Sequence, residues 1–266
     1  MTTPVALTIA GSDSSGGAGI QADLKTFAAL GVYGASAITA LTAQNTKGVT
    51  GIHMVPPDFL RAQIDAVFGD LAVGAVKIGM VAQLASIGAI ADALTHWSPR
   101  HVVLDPVMVA TSGDRLLAPD AVEALRTTLI PLATIITPNL PEAAALLNEP
   151  IAGSDAAIES QGRKLLAMGC PAVLIKGGHG QGRESIDYLV RDGGVVALAA
   201  PRLATQNTHG TGCSLSSAIA AELAKGAELE AAVRNAKTFI SAAIASADRF
   251  TVGHGHGPIH HFHRFY

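Results

Sequence analysis

The stretch Pro4-Val-Ala-Leu-Thr-Ile-Ala10, followed by Gly11-Ser-Asp-Ser-Ser-Gly-Gly-Ala-Gly19 and then Ile20 to Leu30, decides the architecture. An apolar, partly β-branched run gives way to a glycine loop and then to helical spacing, which reads as strand, loop and helix. Gly17-x-Gly19-x-x-Ala22 matches the relaxed dinucleotide fingerprint. That fingerprint also needs an acidic residue about 20 positions on to hold a ribose. No Asp or Glu occurs between Leu24 and Pro57, so the loop is read as backbone wrapped around a different small ligand.

Outward from this unit the same alternation continues. Strands are expected at Ala35 to Thr42, Ala75 to Ile78, His101 to Leu104, Thr134 to Thr137 and Ala172 to Ile175, with a short accessory strand at Gly51 to Val55. Helices are expected at Asp58 to Asp70, Gln83 to Trp97, Pro119 to Ile130, up to Leu147, Asp155 to Met168, Leu215 to Leu223 and Glu228 to Asp248. Ile186 to Arg191 and Val195 to Ala199 form a hairpin around Asp192-Gly193-Gly194. Several strands are continuous apolar runs, as in a parallel sheet covered on both faces. The expected fold is therefore α/β, one domain over residues 1–266, with a mostly parallel central sheet, helices on both faces and a small accessory strand edge. Ligands of such sheets bind at the strand C-terminal ends, where Gln44, Asp105, Asn139 and Lys176 gather.

Near the far end stands Asn207-Thr-His-Gly-Thr-Gly-Cys213, just ahead of the Ala- and Ser-rich helix. Thr208, Gly210, Thr211 and Gly212 can turn the backbone tightly and present N–H groups at a helix N-terminus, which favours an anion, here phosphate. Cys213, in the first helical turn, feels the positive end of the dipole, so a lowered thiol pKa and service as a base are expected. The alternative for Cys213 is a small buried hydrophobe.

Gly-x-x-x-x-Gly-Lys-Ser/Thr, Gly-x-Ser-x-Gly and His-Glu-x-x-His are all absent. What remains are the parts of a phosphoryl-transfer site, in which positioning and charge neutralisation supply most of the catalysis. Lys176 can reach a bound phosphate or be a solvated strand-end lysine. Asp105 and Glu142 can hold Mg²⁺ partly through water, although Glu142 also complements the helix that follows Pro141. Gln44 offers one acceptor and two donors, which suits an amino-substituted nitrogen heterocycle or a strand cap. Asp23 can accept a substrate hydroxyl or pair with solvent. His254, His256, His260, His261 and His263 resemble a metal tract, but the interleaved Gly, Pro, Phe and Ile point to a packed tail.

At 266 residues the chain can bury a substantial core, and a net charge of −3 with 15% charged residues advertises no surface for nucleic acid or anionic membrane. Cys170 and Cys213 are too few for a disulfide framework, and the first Lys or Arg is Lys25, so no secretory signal is read and a cytoplasmic setting is expected. Residues 26–46 are uncharged and long enough to mimic a membrane span. Their glycines, threonines, Gln44 and Asn45 argue for a buried helix-turn-strand unit instead.

Gly11 to Lys25, Thr39 to Thr46, Lys77-Ile-Gly-Met80, Asp105-Pro-Val-Met108, Thr137-Pro-Asn-Leu-Pro-Glu142, Lys176-Gly-Gly-His179 and His209-Gly-Thr-Gly-Cys213 form seven ordered blocks spread over nearly the whole chain. Together they resemble the bacterial hydroxymethylpyrimidine/phosphomethylpyrimidine kinases of thiamine biosynthesis, within the ribokinase-like superfamily. The resemblance implies ATP- and Mg²⁺-dependent phosphorylation of 4-amino-5-hydroxymethyl-2-methylpyrimidine to its monophosphate and then its diphosphate. It places Gln44 on the aminopyrimidine edge, with Gly11, Asp23, Met80 and Val107 around the ring and hydroxymethyl group. Asn139, Glu142 and Lys176 would serve nucleotide phosphates and metal, Thr208 to Gly212 the anion hole, and Cys213 the position that most of the superfamily gives to an aspartate base. It also implies a homodimer, with residues 42–55 near the accessory edge. The competing readings are a pyridoxal/pyridoxine kinase of the same fold and a non-catalytic pyrimidine- or nucleotide-binding regulator. The presence of both Cys213 and Lys176 disfavours the regulator.

Overall fold

In the computed structural model the described residues are 2–108, 119–179 and 182–266. The opening unit forms as read: β1 (Val5–Ala10), the glycine loop, and α1 (Gly19–Ala29). Next come β2 (Tyr33–Ile38), β3 (Ala40–Asn45), β4 (Gly48–Met54), α2 (Pro57–Phe68), β5 (Val73–Ile78), α3 (Leu84–Trp97) and β6 (Val102–Leu104). The second half holds α4 (Pro119–Ala124), β7 (Ile135–Ile136), α5 (Leu140–Leu147), α6 (Asp155–Leu166), β8 (Ala172–Ile175), β9 (Glu184–Arg191), β10 (Gly194–Pro201), α7 (Thr211–Ala224) and α8 (Leu229–Ala245).

Eight strands make one sheet in the order β10-β9-β8-β7-β6-β5-β1-β2. Pairings from β2 through β8 are parallel, and β9 and β10 close that edge as an antiparallel hairpin. Because β1 lies between β2 and β5, the chain winds away from it in two directions, which puts helices on both faces. The strands show it residue by residue. Leu7, Ile9, Val76, Ile78, Val102 and Leu104 join the core under α2, α3, α5 and α6, whereas Ala6, Ala75 and Val103 join the core under α1, α7 and α8. Alternate side chains of a strand point to opposite faces, so one apolar run serves two cores. Phe27 and Phe239 are sealed within the second core, where burial of each stabilises by about 2 kcal/mol.

Two expectations are corrected. The run read as a single strand from Ala35 to Thr42 is broken at Thr39, whose hydroxyl donates to the Met80 carbonyl (2.8 Å). Residues 40–45 leave the main sheet and pair antiparallel with β4 in a separate ribbon, so Gln44 is not at a main-sheet strand end. The helix expected from Pro119 to Ile130 is α-helical only to Ala124 and continues as a π turn and a 3₁₀ turn that contains Pro131, which has no N–H to extend an α ladder.

The His-rich tail is packed at its end only: His254 and His256 are exposed, whereas Ile259, His260 and His261 are buried, with the His260 ring tilted against Phe250 at 4.0 Å. Among the described residues no group of three His, Cys, Asp or Glu side chains is placed to hold a metal, and no helix is long and apolar enough to cross a membrane. Both cysteines are free thiols.

Candidate active site

Asp105 follows β6, Asn139 follows β7 and Lys176 follows β8, so three adjacent parallel strands deliver three polar residues to one edge. The Lys176 ammonium donates to Asp105 Oδ1 at 2.7 Å and lies 3.8 Å from Glu142 Oε2. Asp105 also accepts from the hydroxyls of Thr137 (3.1 Å) and Ser216 (3.3 Å). Glu142 reaches this edge through a capping box: Asn139 Oδ1 accepts from the Glu142 N–H and Glu142 Oε2 from the Asn139 N–H, both at 2.8 Å. The box holds the first turn of α5 while aiming its carboxylate at Lys176. Burial raises the Glu142 carboxyl to about 7, aided by Asp105 and opposed by Lys176. Burial works against the Lys176 ammonium, but Asp105 and Glu142 outweigh it and hold that group above its ordinary value. The lysine therefore stays charged.

Facing this cluster is the start of α7. Gly210 adopts φ 80°, a left-handed conformation that glycine takes without strain, and the Thr211 hydroxyl donates back to the Thr208 carbonyl at 2.7 Å. No side chain caps the helix; the Thr211 N–H is taken by the Thr208 carbonyl at 3.2 Å, and the N–H groups that follow it, with the helix dipole, suit an anion. A Cβ placed on Gly212 would sit 3.4 Å from Lys176 Nζ and 3.8 Å from Asp105 Oδ2. The turn, the lysine and the carboxylates thus share one place, which brings Gly210, Thr211 and Gly212, with Thr208 bonded to Thr211, beside Asn139, Glu142, Asp105 and Lys176. Cys213 is there too, but its expected low pKa is corrected. Loss of water around the thiol raises it to about 11, and Lys77 together with the Gly19 N–H only partly opposes that rise. Desolvation outweighs the dipole here.

At the start of the glycine loop, Gly11 and Met80 touch: a Cβ on Gly11 would overlap the Met80 methyl. Val107 is half-buried in the turn after β6, its N–H donating to the Asp105 carbonyl at 2.8 Å. Gln44 is half-buried on β3, where its N–H and carbonyl both bond the Ser14 hydroxyl at 2.8 Å, which fastens the ribbon to the glycine loop. Its side-chain oxygen accepts from Thr42 at 3.3 Å, and Gln44 and His209 line the same small cleft. Asp23 requires a correction. It is fully buried, with one oxygen taken by Thr8 (2.6 Å) and Lys77 (2.8 Å) and the other by Ser217 (2.7 Å). It therefore lies beneath the site, neither solvated nor open to a substrate hydroxyl.

Sequence reasoning did not find Asp13, which organises the glycine loop. Its carboxylate accepts from the Ser15 N–H and hydroxyl, the Gly17 and Ala18 N–H groups, and His209 Nε2. The Asp-Ser-Ser-Gly spacing carried the signal, because a short acidic side chain ahead of glycines folds back on its own loop.

A doubly wound α/β sheet whose strand ends offer an anion turn, a paired lysine and two carboxylates defines a kinase of the ribokinase-like class. A family model described as phosphomethylpyrimidine kinase matches residues 13–260, and the chain belongs to that family. It is 58% identical over 264 residues to the hydroxymethylpyrimidine/phosphomethylpyrimidine kinase of Rhizobium meliloti, covering 99% of each chain. It is 54% identical to the enzyme of that name from Escherichia coli, covering 98% of each. Among solved structures, it resembles a phosphomethylpyrimidine kinase from Clostridium difficile (46% identity, TM-score 0.80, 90% of this chain and 99% of that one). It also resembles a pyridoxal kinase from Bacillus subtilis in complex with ADP (38% identity, TM-score 0.92, all of both chains).

Proposed function

We propose that this protein transfers the γ-phosphoryl group of ATP to the hydroxymethyl oxygen of 4-amino-5-hydroxymethyl-2-methylpyrimidine, and then a second one to the resulting monophosphate, supplying the diphosphate for thiamine biosynthesis. The observation that carries this reading is the 3.4 Å approach between the Gly212 Cβ position and the Lys176 ammonium, which puts a fixed positive charge at the mouth of the anion turn. The identity to named hydroxymethylpyrimidine/phosphomethylpyrimidine kinases supports the choice of ring.

In the transfer, the substrate oxygen attacks the γ-phosphorus, the bond to the bridging oxygen breaks, and ADP leaves. The N–H groups of Gly212 and Cys213 and the Lys176 ammonium face the charge that spreads over the transferred group. Gln44 binds the aminopyrimidine edge, Gly11, Met80 and Val107 enclose the ring, and Asn139 and Thr208 meet the nucleotide phosphates. Asp23, below the ring, positions Lys77 rather than touching substrate. Cys213, as the thiolate, takes the alcohol proton as the new P–O bond forms. Asp105, one residue beyond β6, and Glu142, in the first turn of α5, fit Mg²⁺: two hard carboxylates gathered around one lysine suit an ion that keeps most of its waters. Bound there, the ion supplies neutralisation of phosphate charge.

The same reading makes residues 1–266 one kinase domain acting in the cytoplasm as a homodimer. Exposed Leu41 and Ile52 on the β3–β4 ribbon support a partner on that edge. The test is a mass-spectrometric product assay with Mg-ATP and the hydroxymethyl aminopyrimidine, with pyridoxal in parallel. Monophosphate followed by diphosphate is expected. Monophosphate alone would refute the second transfer, and turnover of pyridoxal only would refute the substrate.

A further inference from the structure

Asp13 and His209 lie 196 residues apart in sequence, yet His209 Nε2 and Asp13 Oδ2 are 2.8 Å apart, with only 8% of the His209 side chain and 1% of the Asp13 side chain exposed. Each residue is the anchor of a different loop. Asp13 gathers the N–H groups of Ser15 (2.9 Å), Gly17 (3.1 Å) and Ala18 (2.8 Å). His209 is the residue immediately before the anion turn. Its N–H donates to the Gly257 carbonyl at 3.0 Å and its carbonyl accepts from the Ile259 N–H at 3.4 Å, so the tail fixes its backbone from both sides. The loops meet without slack: a Cβ on Gly17 would overlap the His209 ring, and one on Gly210 would overlap the Gly17 carbonyl oxygen.

We propose that Asp13 and His209 form a positioning pair, whose bond sets where the Gly210-Thr211-Gly212 turn stands relative to the Gly11–Gly19 loop and thereby controls transfer rate rather than ligand affinity. This rests on the kinase reading above, because it takes the turn as the cradle of the transferred phosphoryl group. Neither residue touches the reacting atoms. Burial alone would raise the Asp13 carboxyl, but hydrogen bonds from His209, Ser15 and Ala18 pull it to about 2. It is therefore an acceptor at every working pH, and His209 Nε2 is the donor. A charge-assisted bond of this kind is short and directional, as positioning requires. Small misplacements of catalytic groups cost about a hundredfold in rate, whereas affinity, spread over many contacts, changes little.

The decisive comparison is His209→Gln against His209→Asn. Both are neutral amides of similar polarity, but only the longer side chain brings an N–H to where Nε2 stands. His209→Asn is expected to lower kcat about 30- to 100-fold, with KM for pyrimidine and ATP changed less than about threefold, and His209→Gln to recover kcat to within about fivefold of wild type. Equal kcat in the two variants, or a loss carried by KM, would overturn the proposal, as would a loss that follows the melting temperature. The comparison is read as variant over wild type on whichever alcohol the wild type turns over. Failure of the pyrimidine as substrate is thus seen in the wild-type assay and leaves the ratio intact.

Discussion

Lys77 and Lys176 both stand beside carboxylates on the same sheet, but in different surroundings. Lys77, on β5, is sealed beneath α1 and α7 against Asp23, whose remaining hydrogen-bonding capacity goes to Thr8 and Ser217. Lys176, one residue beyond β8, keeps 13% of its side chain exposed and has two carboxylates to share, at the open end where α7 begins. A closed pair with every partner satisfied can do little but hold elements together. An open pair with one cation between two anions can rearrange around an incoming phosphate. Charge and residue type are the same in both, and access separates structure from chemistry.

The largest expected effect breaks the closed pair. Lys77→Met leaves Asp23 buried without its cation and should cost about 3–5 kcal/mol of unfolding free energy, read from urea denaturation. Turnover per folded molecule should fall by no more than about an order of magnitude, the loss coming through the Cys213 thiol, which the Lys77 charge lowers. Adding Asp23→Leu should return much of the lost stability by removing the stranded carboxylate.

A smaller effect sharpens the open side. With the Cys213 thiol near 11, the thiolate fraction grows about tenfold per pH unit through the neutral range, so wild-type kcat should climb from pH 7 toward 9. Cys213→Ser should lower kcat about a hundredfold and flatten that climb. A steep profile retained by the serine variant would remove Cys213 as the proton acceptor.

The smallest effect lies in the loop. Asp13 has a folded pKa of about 2 against 3.8 when free, so its contribution to stability is full above about pH 4 and fades as pH falls toward 2. Unfolding free energies of wild type and Asp13→Asn, measured by urea denaturation at a series of pH values, should therefore differ at neutral pH and converge as pH falls through that window.

Much of this was legible in the residues. Apolar runs gave the parallel strands because a strand buried on both faces has no polar alternation to hide it, and the glycines around Thr211 marked the anion turn because few other residues fit a φ of 80°. Thr39 hid the strand break: a β-branched residue continues the pattern, and only its bond to the Met80 carbonyl shows the chain turning away. Asp23 and Lys77 are 54 positions apart, and Asp13 and His209 far more, so their pairings depend on the fold and leave no local spacing to read. Cys213 misled because its place on the helix was visible while its loss of water was not.

The central claim, that the open pair performs the transfer, is tested most directly by the single-turnover rate of Lys176→Met with saturating Mg-ATP and the pyrimidine alcohol. The account predicts a fall of about a thousandfold, with a melting temperature close to wild type. A rate within a few-fold of wild type would contradict it, and would mean that Lys176 is no more than a strand-end ion pair.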